Sequence, residues 1–103
     1  MPVVAVATLI AKPESIEIVR DIFVRSVTEV HNEPGCQLYA LHESGNTFVF
    51  VEQWANAEAL QTHSTATAIT QMIKTAGEHL ASAPDIKMLT PVPAGDPEKG
   101  QLR

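Results

Sequence analysis

Basic clusters are missing from this sequence. Its seven Lys and Arg residues (Lys12, Arg20, Arg25, Lys74, Lys87, Lys99, Arg103) are scattered against 12 acidic ones, giving a net charge of −5. A nucleic-acid footprint or adhesion to a polyanionic membrane surface needs the opposite balance, so neither partner is expected. The single cysteine, Cys36, excludes an internal disulfide framework and suits a reducing cytosol. No stretch reaches the roughly 20 apolar residues of a membrane span. Met1-Pro2 leads straight into an apolar strand pattern, with no basic n-region or cleavage signature. No export signal is expected, and a cytoplasmic location follows. The four histidines (His31, His42, His63, His79) stand apart, without His-x-x-x-His or Cys-x-x-Cys spacing, so no dedicated metal site is expected. A glycine-rich phosphate loop and a Gly-x-Ser-x-Gly elbow are also lacking.

What is present is enough for one folded domain: 103 residues, 45% of them hydrophobic. Residues 3–11 are apolar and β-branched with hardly a polar break, the pattern of a strand covered on both faces. Lys12-Pro13-Glu14-Ser15 interrupts it and starts a helix. The acids Glu14, Glu17 and Asp21 lie near the positive end of that helix's dipole. Ile16, Val19, Phe23, Val27 and Val30 form its apolar stripe, and Asn32-Glu33-Pro34-Gly35 ends it. Residues 36–43 and 47–54 read as strands joined by the hairpin Ser44-Gly45-Asn46. Asn56 is placed to cap a helix carrying Ala59, Leu60 and His63 on one side. After a break at Ser64-Thr65, Ile69, Met72, Ile73, Ala76 and Leu80 continue in helical register, and residues 85–90 form a last short strand. The tail from Pro91, rich in Pro and Gly and without periodicity, reads as an extended arm. The expected organisation is a domain over residues 1–90 and an arm over 91–103.

The order β-α-β-β-α-β is that of an α+β, ferredoxin-like domain with helices on one face of an antiparallel sheet. The first and third strands, however, are apolar at both parities: Phe48 and Phe50 point one way, Val49 and Val51 the other. An open apolar sheet face is a partner surface. Covering about 800 Å² per partner contributes about 20 kcal/mol gross, before association entropy is subtracted. A homodimer through the sheet face is the expectation.

Chemistry is sparse. Trp54 shares its strand parity with Phe48, Phe50 and Glu52, and His63 follows on the next helix. An indole and an imidazole could thus meet at the rim of an apolar small-molecule pocket, where the imidazole can act as a general base. A lone histidine on an apolar helix face can equally be a packing residue, and Trp54 can be plain core. Glu52 reads either as a pocket hydrogen-bonding group or as half of an ion pair. Tyr39 either lends its hydroxyl to a pocket or packs on the third strand. Cys36 reads as small core filler. His42 and His79 are expected to face solvent, and His31 to answer the helix dipole.

In order and spacing, Gly35-Cys36-x-x-Tyr39, Phe50-x-Glu52-x-Trp54 and Ala59-Leu60-x-x-His63 resemble the antibiotic biosynthesis monooxygenase family, the quinol monooxygenase-like group of dimeric α+β barrels. The resemblance spans residues 3–90. It implies a homodimer with facing sheets and, in each subunit, a pocket between sheet and helices. It also implies cofactor-independent oxidation of a quinol-, anthrone- or polyketide-like aromatic by O₂, without metal or flavin. His63 would then be base or proton shuttle, with Trp54 as wall and N–H donor and Tyr39 as a further polar group. Phe50, Glu52 and Leu60 would complete the substrate site. A haem-degrading branch of the family pairs such a Trp and His with an asparagine on the first strand, where this chain has Ala7 or Thr8. A ligand-binding dimer that keeps the barrel without the chemistry is the alternative of another class.

Overall fold

The computed structural model describes residues 2–102. Strand β1 spans Val3–Ile10. A 3-10 turn, Pro13–Ser15, leads into helix α1 (Ile16–His31), which is followed by the hairpin β2 (Cys36–Ser44) and β3 (Thr47–Trp54). Helices α2 (Ala57–Ser64) and α3 (Thr67–Ala76), a 3-10 turn at Gly77–His79 and strand β4 (Asp85–Leu89) complete the order. The sheet order is β2-β3-β1-β4, antiparallel throughout. Period-two alternation sets the faces. Ala5, Ala7, Leu9, Phe48, Phe50, Glu52 and Trp54 are buried under the helices. On the outer face Val4, Val6, Thr8, Ile10, Val49 and Val51 are only half-buried.

The core is built where aromatic rings from α1 and β3 meet. Phe23 sits edge-on to Phe48 at 5.4 Å and to Phe50 at 5.1 Å, geometries that favour the ring quadrupoles. Val19 and Val30 extend this α1 stripe, both fully buried. Asn56 caps α2, its side chain accepting from the Ala59 backbone N–H at 2.8 Å. The helical pattern does not run through to Leu80 as its spacing suggests. α3 stops at Ala76, Gly77 opens a 3-10 turn, and Leu80 forms an isolated β-bridge with Ala11. His79 is only partly solvent-facing: its Nδ1 lies 3.1 Å from the Ser15 hydroxyl, tying the two 3-10 turns together. His31 donates from Nε2 to the Tyr39 carbonyl at 3.0 Å, a tertiary contact in addition to any dipole effect. The last strand ends one residue short of expectation, at Leu89, and all five of its residues are exposed at the sheet edge.

Residues 95–100 of the tail close a turn rather than extending. Gly95 has φ 71°, the Asp96 carboxylate accepts from the backbone N–H groups of Glu98 and Lys99, and Gly100 N–H donates to the Asp96 carbonyl. The turn between α1 and β2 packs closely against α2. Gly35 has φ +79°, and a Cβ there would lie 2.6 Å from the Ala59 Cβ on α2. Its carbonyl accepts from Ala55 N–H at 2.8 Å. Gly35→Ala therefore combines a left-handed backbone with an overpacked contact and should lower stability by about 2 kcal/mol or more. Urea unfolding measures this, and a loss below about 0.5 kcal/mol would refute the account.

Candidate functional site

Between the sheet and α2 and α3 lies a cavity of about 390 Å³. Residue size creates it. On β1, Ala5 and Ala7 stand opposite Glu52 and Phe50 of β3, and their short side chains leave room above the sheet. Leu60 from α2 and Ile69, Met72 and Ile73 from α3 close it above, and Ile86 and Met88 of β4 flank its open side. The wall is apolar apart from Ser64 and one end where Tyr39, Glu52 and His63 converge.

This polar end is assembled from four separate segments. β3 turns Glu52 inward, where it is 4% exposed, and α2 turns His63 inward at 6%. Trp54 Nε1–H donates to Glu52 Oε1 at 3.0 Å, and His63 Nε2 lies 3.7 Å from that same oxygen. From the α1–β2 turn, Glu33 Oε1 approaches His63 Nδ1 to 2.8 Å. The indole lies under the imidazole, with centroids 4.4 Å apart and planes 32° from parallel. Tyr39 stacks on Phe50 at 4.8 Å and meets the His63 ring edge-on at 5.4 Å.

Of the residues named from sequence, Tyr39, Phe50, Glu52, Leu60 and His63 all border the cavity. Trp54 does not. It is fully buried behind His63, and its N–H is already taken by Glu52, which leaves it neither cavity wall nor donor to a ligand. It supports the two groups that do face the cavity. Glu33 carries no local sequence signal for this role, because Asn32-Glu33-Pro34-Gly35 reads as a helix terminator and nothing nearby in sequence ties it to His63. Among the described residues no group of three His, Cys, Asp or Glu side chains is arranged to hold a metal ion.

Burial raises the Glu52 carboxyl above its ordinary range. The Trp54 hydrogen bond and His63 oppose the rise, and Glu33 adds to it. Burial also raises the Tyr39 phenol, helped by Glu52, Glu33 and Cys36, so Tyr39 keeps its proton and remains a donor at physiological pH. Burial raises the Cys36 thiol as well, with Glu33 and Glu52 contributing, which disfavours a thiolate nucleophile.

The model of the antibiotic biosynthesis monooxygenase family matches residues 2–75, from β1 through nearly all of α3. The chain belongs to that family. No curated protein matches the sequence. Among solved structures, that of Rv0793 from Mycobacterium tuberculosis shares the fold. Its TM-score is 0.85 at 24% identity, over 93% of this chain and 100% of that one. A candidate antibiotic biosynthesis monooxygenase from Caulobacter crescentus is 28% identical, with a TM-score of 0.80 over 85% of this chain and 87% of its own. One from Deinococcus radiodurans is 26% identical, with a TM-score of 0.82 over 91% and 96%.

A carboxyl whose folded-state pKa is raised holds its proton more tightly folded than unfolded. Its stabilising contribution is complete below the unfolded carboxylate range and is lost as pH rises through the folded value. Between about pH 4 and about pH 7 the wild type should therefore lose more stability than Glu52→Gln, which cannot ionise. Urea midpoints across that range read the difference, and parallel profiles would contradict it.

Proposed function

We propose that the protein is a monooxygenase that oxidises a quinol-, anthrone- or polyketide-like aromatic with O₂, using no metal or flavin. The observation that carries this reading is the apolar cavity whose polar end presents Glu52, Tyr39 and the His63 imidazole, with Glu33 behind the imidazole on its other nitrogen. Such a site can bind a neutral hydroxylated ring and take one proton from it. In the proposed cycle His63 Nε2 accepts the proton of a phenol or enol hydroxyl, and the resulting anion is the reductant. One electron passes to O₂, and recombination of the radical pair forms a C–O bond to a peroxide. Loss of the ring C–H proton with cleavage of the O–O bond then gives a carbonyl and one water. Two hydrogens and four electrons leave the substrate, one oxygen atom enters it, and O₂ is fully accounted for. Tyr39, which keeps its proton, is suited to donate to the developing oxyanion. Glu52, raised toward its protonated form, is suited to return a proton to the departing hydroxide.

The haem-degrading variant finds less support. Of the two candidate positions on β1, Ala7 faces the cavity and offers no polar side chain, while Thr8 is turned to the outer face. Oxygen uptake by purified, chelator-treated protein with a panel of hydroquinones and anthrones tests the main reading, together with incorporation of one labelled oxygen atom per product. His63→Ala should lower kcat by about 10²- to 10⁴-fold. Tight binding of such compounds without oxygen consumption would favour the non-catalytic ligand-binding alternative.

On the same reading, a second copy covers the half-buried outer face, closing two sheets into a barrel. Val51 lies at its centre, paired with Ala40 on one side and Val6 on the other. Val51→Lys should convert a dimer to a monomer in sedimentation equilibrium. An unchanged mass, or a monomeric wild type, would count against this pairing.

A further inference from the structure

Glu33 does not border the cavity, and the cycle proposed above gives it no step. Its side chain is nevertheless mostly buried, 14% exposed, against a His63 side chain 7% exposed. One oxygen, Oε1, lies 2.8 Å from His63 Nδ1; the other, Oε2, is buried with no hydrogen-bond partner among the described residues. A carboxylate withdrawn from water with one oxygen idle weakens a fold, so stability does not account for its position. The turn that carries it is built for close approach. Gly35, at φ +79°, lets the chain press against Ala59, and Ala59 and His63 occupy the same face of α2, four residues apart.

We propose that Glu33 is the positioning residue of this site. It fixes the ring proton of His63 on Nδ1 and leaves Nε2 as the nitrogen that accepts the substrate's proton. A carboxylate offers only acceptors, so the 2.8 Å contact requires an N–H on Nδ1. Nε2 lies 3.7 Å from Glu52 Oε1, too far for a hydrogen bond, and stays available to a hydroxyl entering from the cavity. The catalytic consequence rests on the oxygenase reading. The tautomer does not, because it belongs to the resting protein.

The test is long-range ¹H–¹⁵N correlation of the histidine rings in ¹⁵N-labelled protein. It is recorded above about pH 8, where ordinary imidazoles are neutral. His63→Ala identifies the signals. The wild-type ring should carry its proton on Nδ1. Glu33→Gln, whose amide can accept from or donate to Nδ1, and Glu33→Leu, which can do neither, should bring in the Nε2–H form. For the Gln variant kcat should fall about 10²-fold or more with KM nearly unchanged, since a wrong tautomer removes the base and spares binding. A wild-type proton on Nε2, a doubly protonated ring, or a tautomer unmoved in both variants would overturn the proposal. A merely structural role would shift urea midpoints and leave the tautomer as it was. If the tautomer responds but the wild type consumes no oxygen with any quinol, the oxygenase reading fails and Glu33 keeps its assignment. If oxygen is consumed and the tautomer is unmoved, the Glu33 proposal alone falls.

Discussion

Two carboxyl groups withdrawn from water beside one imidazole must be held by hydrogen bonds or opposite charge, and the arrangement of this fold answers that requirement. Glu52 is the more constrained of the two. β3 sends it inward between Phe50 and Trp54, both fully buried. The indole N–H of Trp54 and the ring of His63 are its polar neighbours, and its carboxyl responds to the dry surroundings by holding its proton more tightly. Glu33 answers the same requirement through His63 alone. The imidazole therefore joins the α1–β2 turn, α2 and β3, and each of the three is fixed by a separate local rule. β3 alternates, α2 is capped by Asn56, and the turn bends at a left-handed glycine.

The cavity follows from a second asymmetry, in side-chain size. Inward positions of β3 carry Phe48, Phe50, Glu52 and Trp54, while β1 presents Ala5 and Ala7 across from them. A close-packed interior would fill such a gap with larger residues. The helices instead bridge it with the branched and flexible side chains of Leu60, Ile69, Met72 and Ile73. β4 lies beyond the reach of the helices, so its inward pair Ile86 and Met88, 57% and 67% exposed, edges the opening rather than joining the core. The inner face of the sheet thus has two uses. At β3 it anchors the core, and at β1 and β4 it forms the floor of the cavity.

Much of this was legible in sequence because period-two alternation is a short-range signal. The facing of Phe48, Phe50, Glu52 and Trp54 follows from parity, and so does the contrast with Val49 and Val51. The Asn56 cap and the break after Ser64 are equally local. What escaped depends on contacts between distant segments. Parity puts Trp54 on the inner face but does not say that Glu52 already accepts its N–H. Glu33 is 30 residues from His63, and the approach depends on how Gly35 packs against Ala59. The Ser15–His79 contact spans 64 residues, and Leu80 left the helical register once Gly77 had ended it.

The charge of the site bears on what kind of molecule it can serve. Among the described residues that line the cavity there is no Lys or Arg, and Glu52 is the ionisable acid on its wall. A ligand bearing a carboxylate or phosphate would bring a negative charge into apolar surroundings that offer no Lys or Arg to pair it. A neutral hydroxylated ring meets no such penalty, since its O–H can donate to an acceptor at the polar end. For the proposed chemistry the same feature has a second effect. An anion formed inside the cavity lacks a strong counter-ion beyond the imidazolium that has just taken its proton. Weak pairing leaves the anion electron-rich, which is the condition for it to give an electron to O₂. The absence of lysine and arginine from the wall would thus select the neutral substrate and keep its conjugate base reactive.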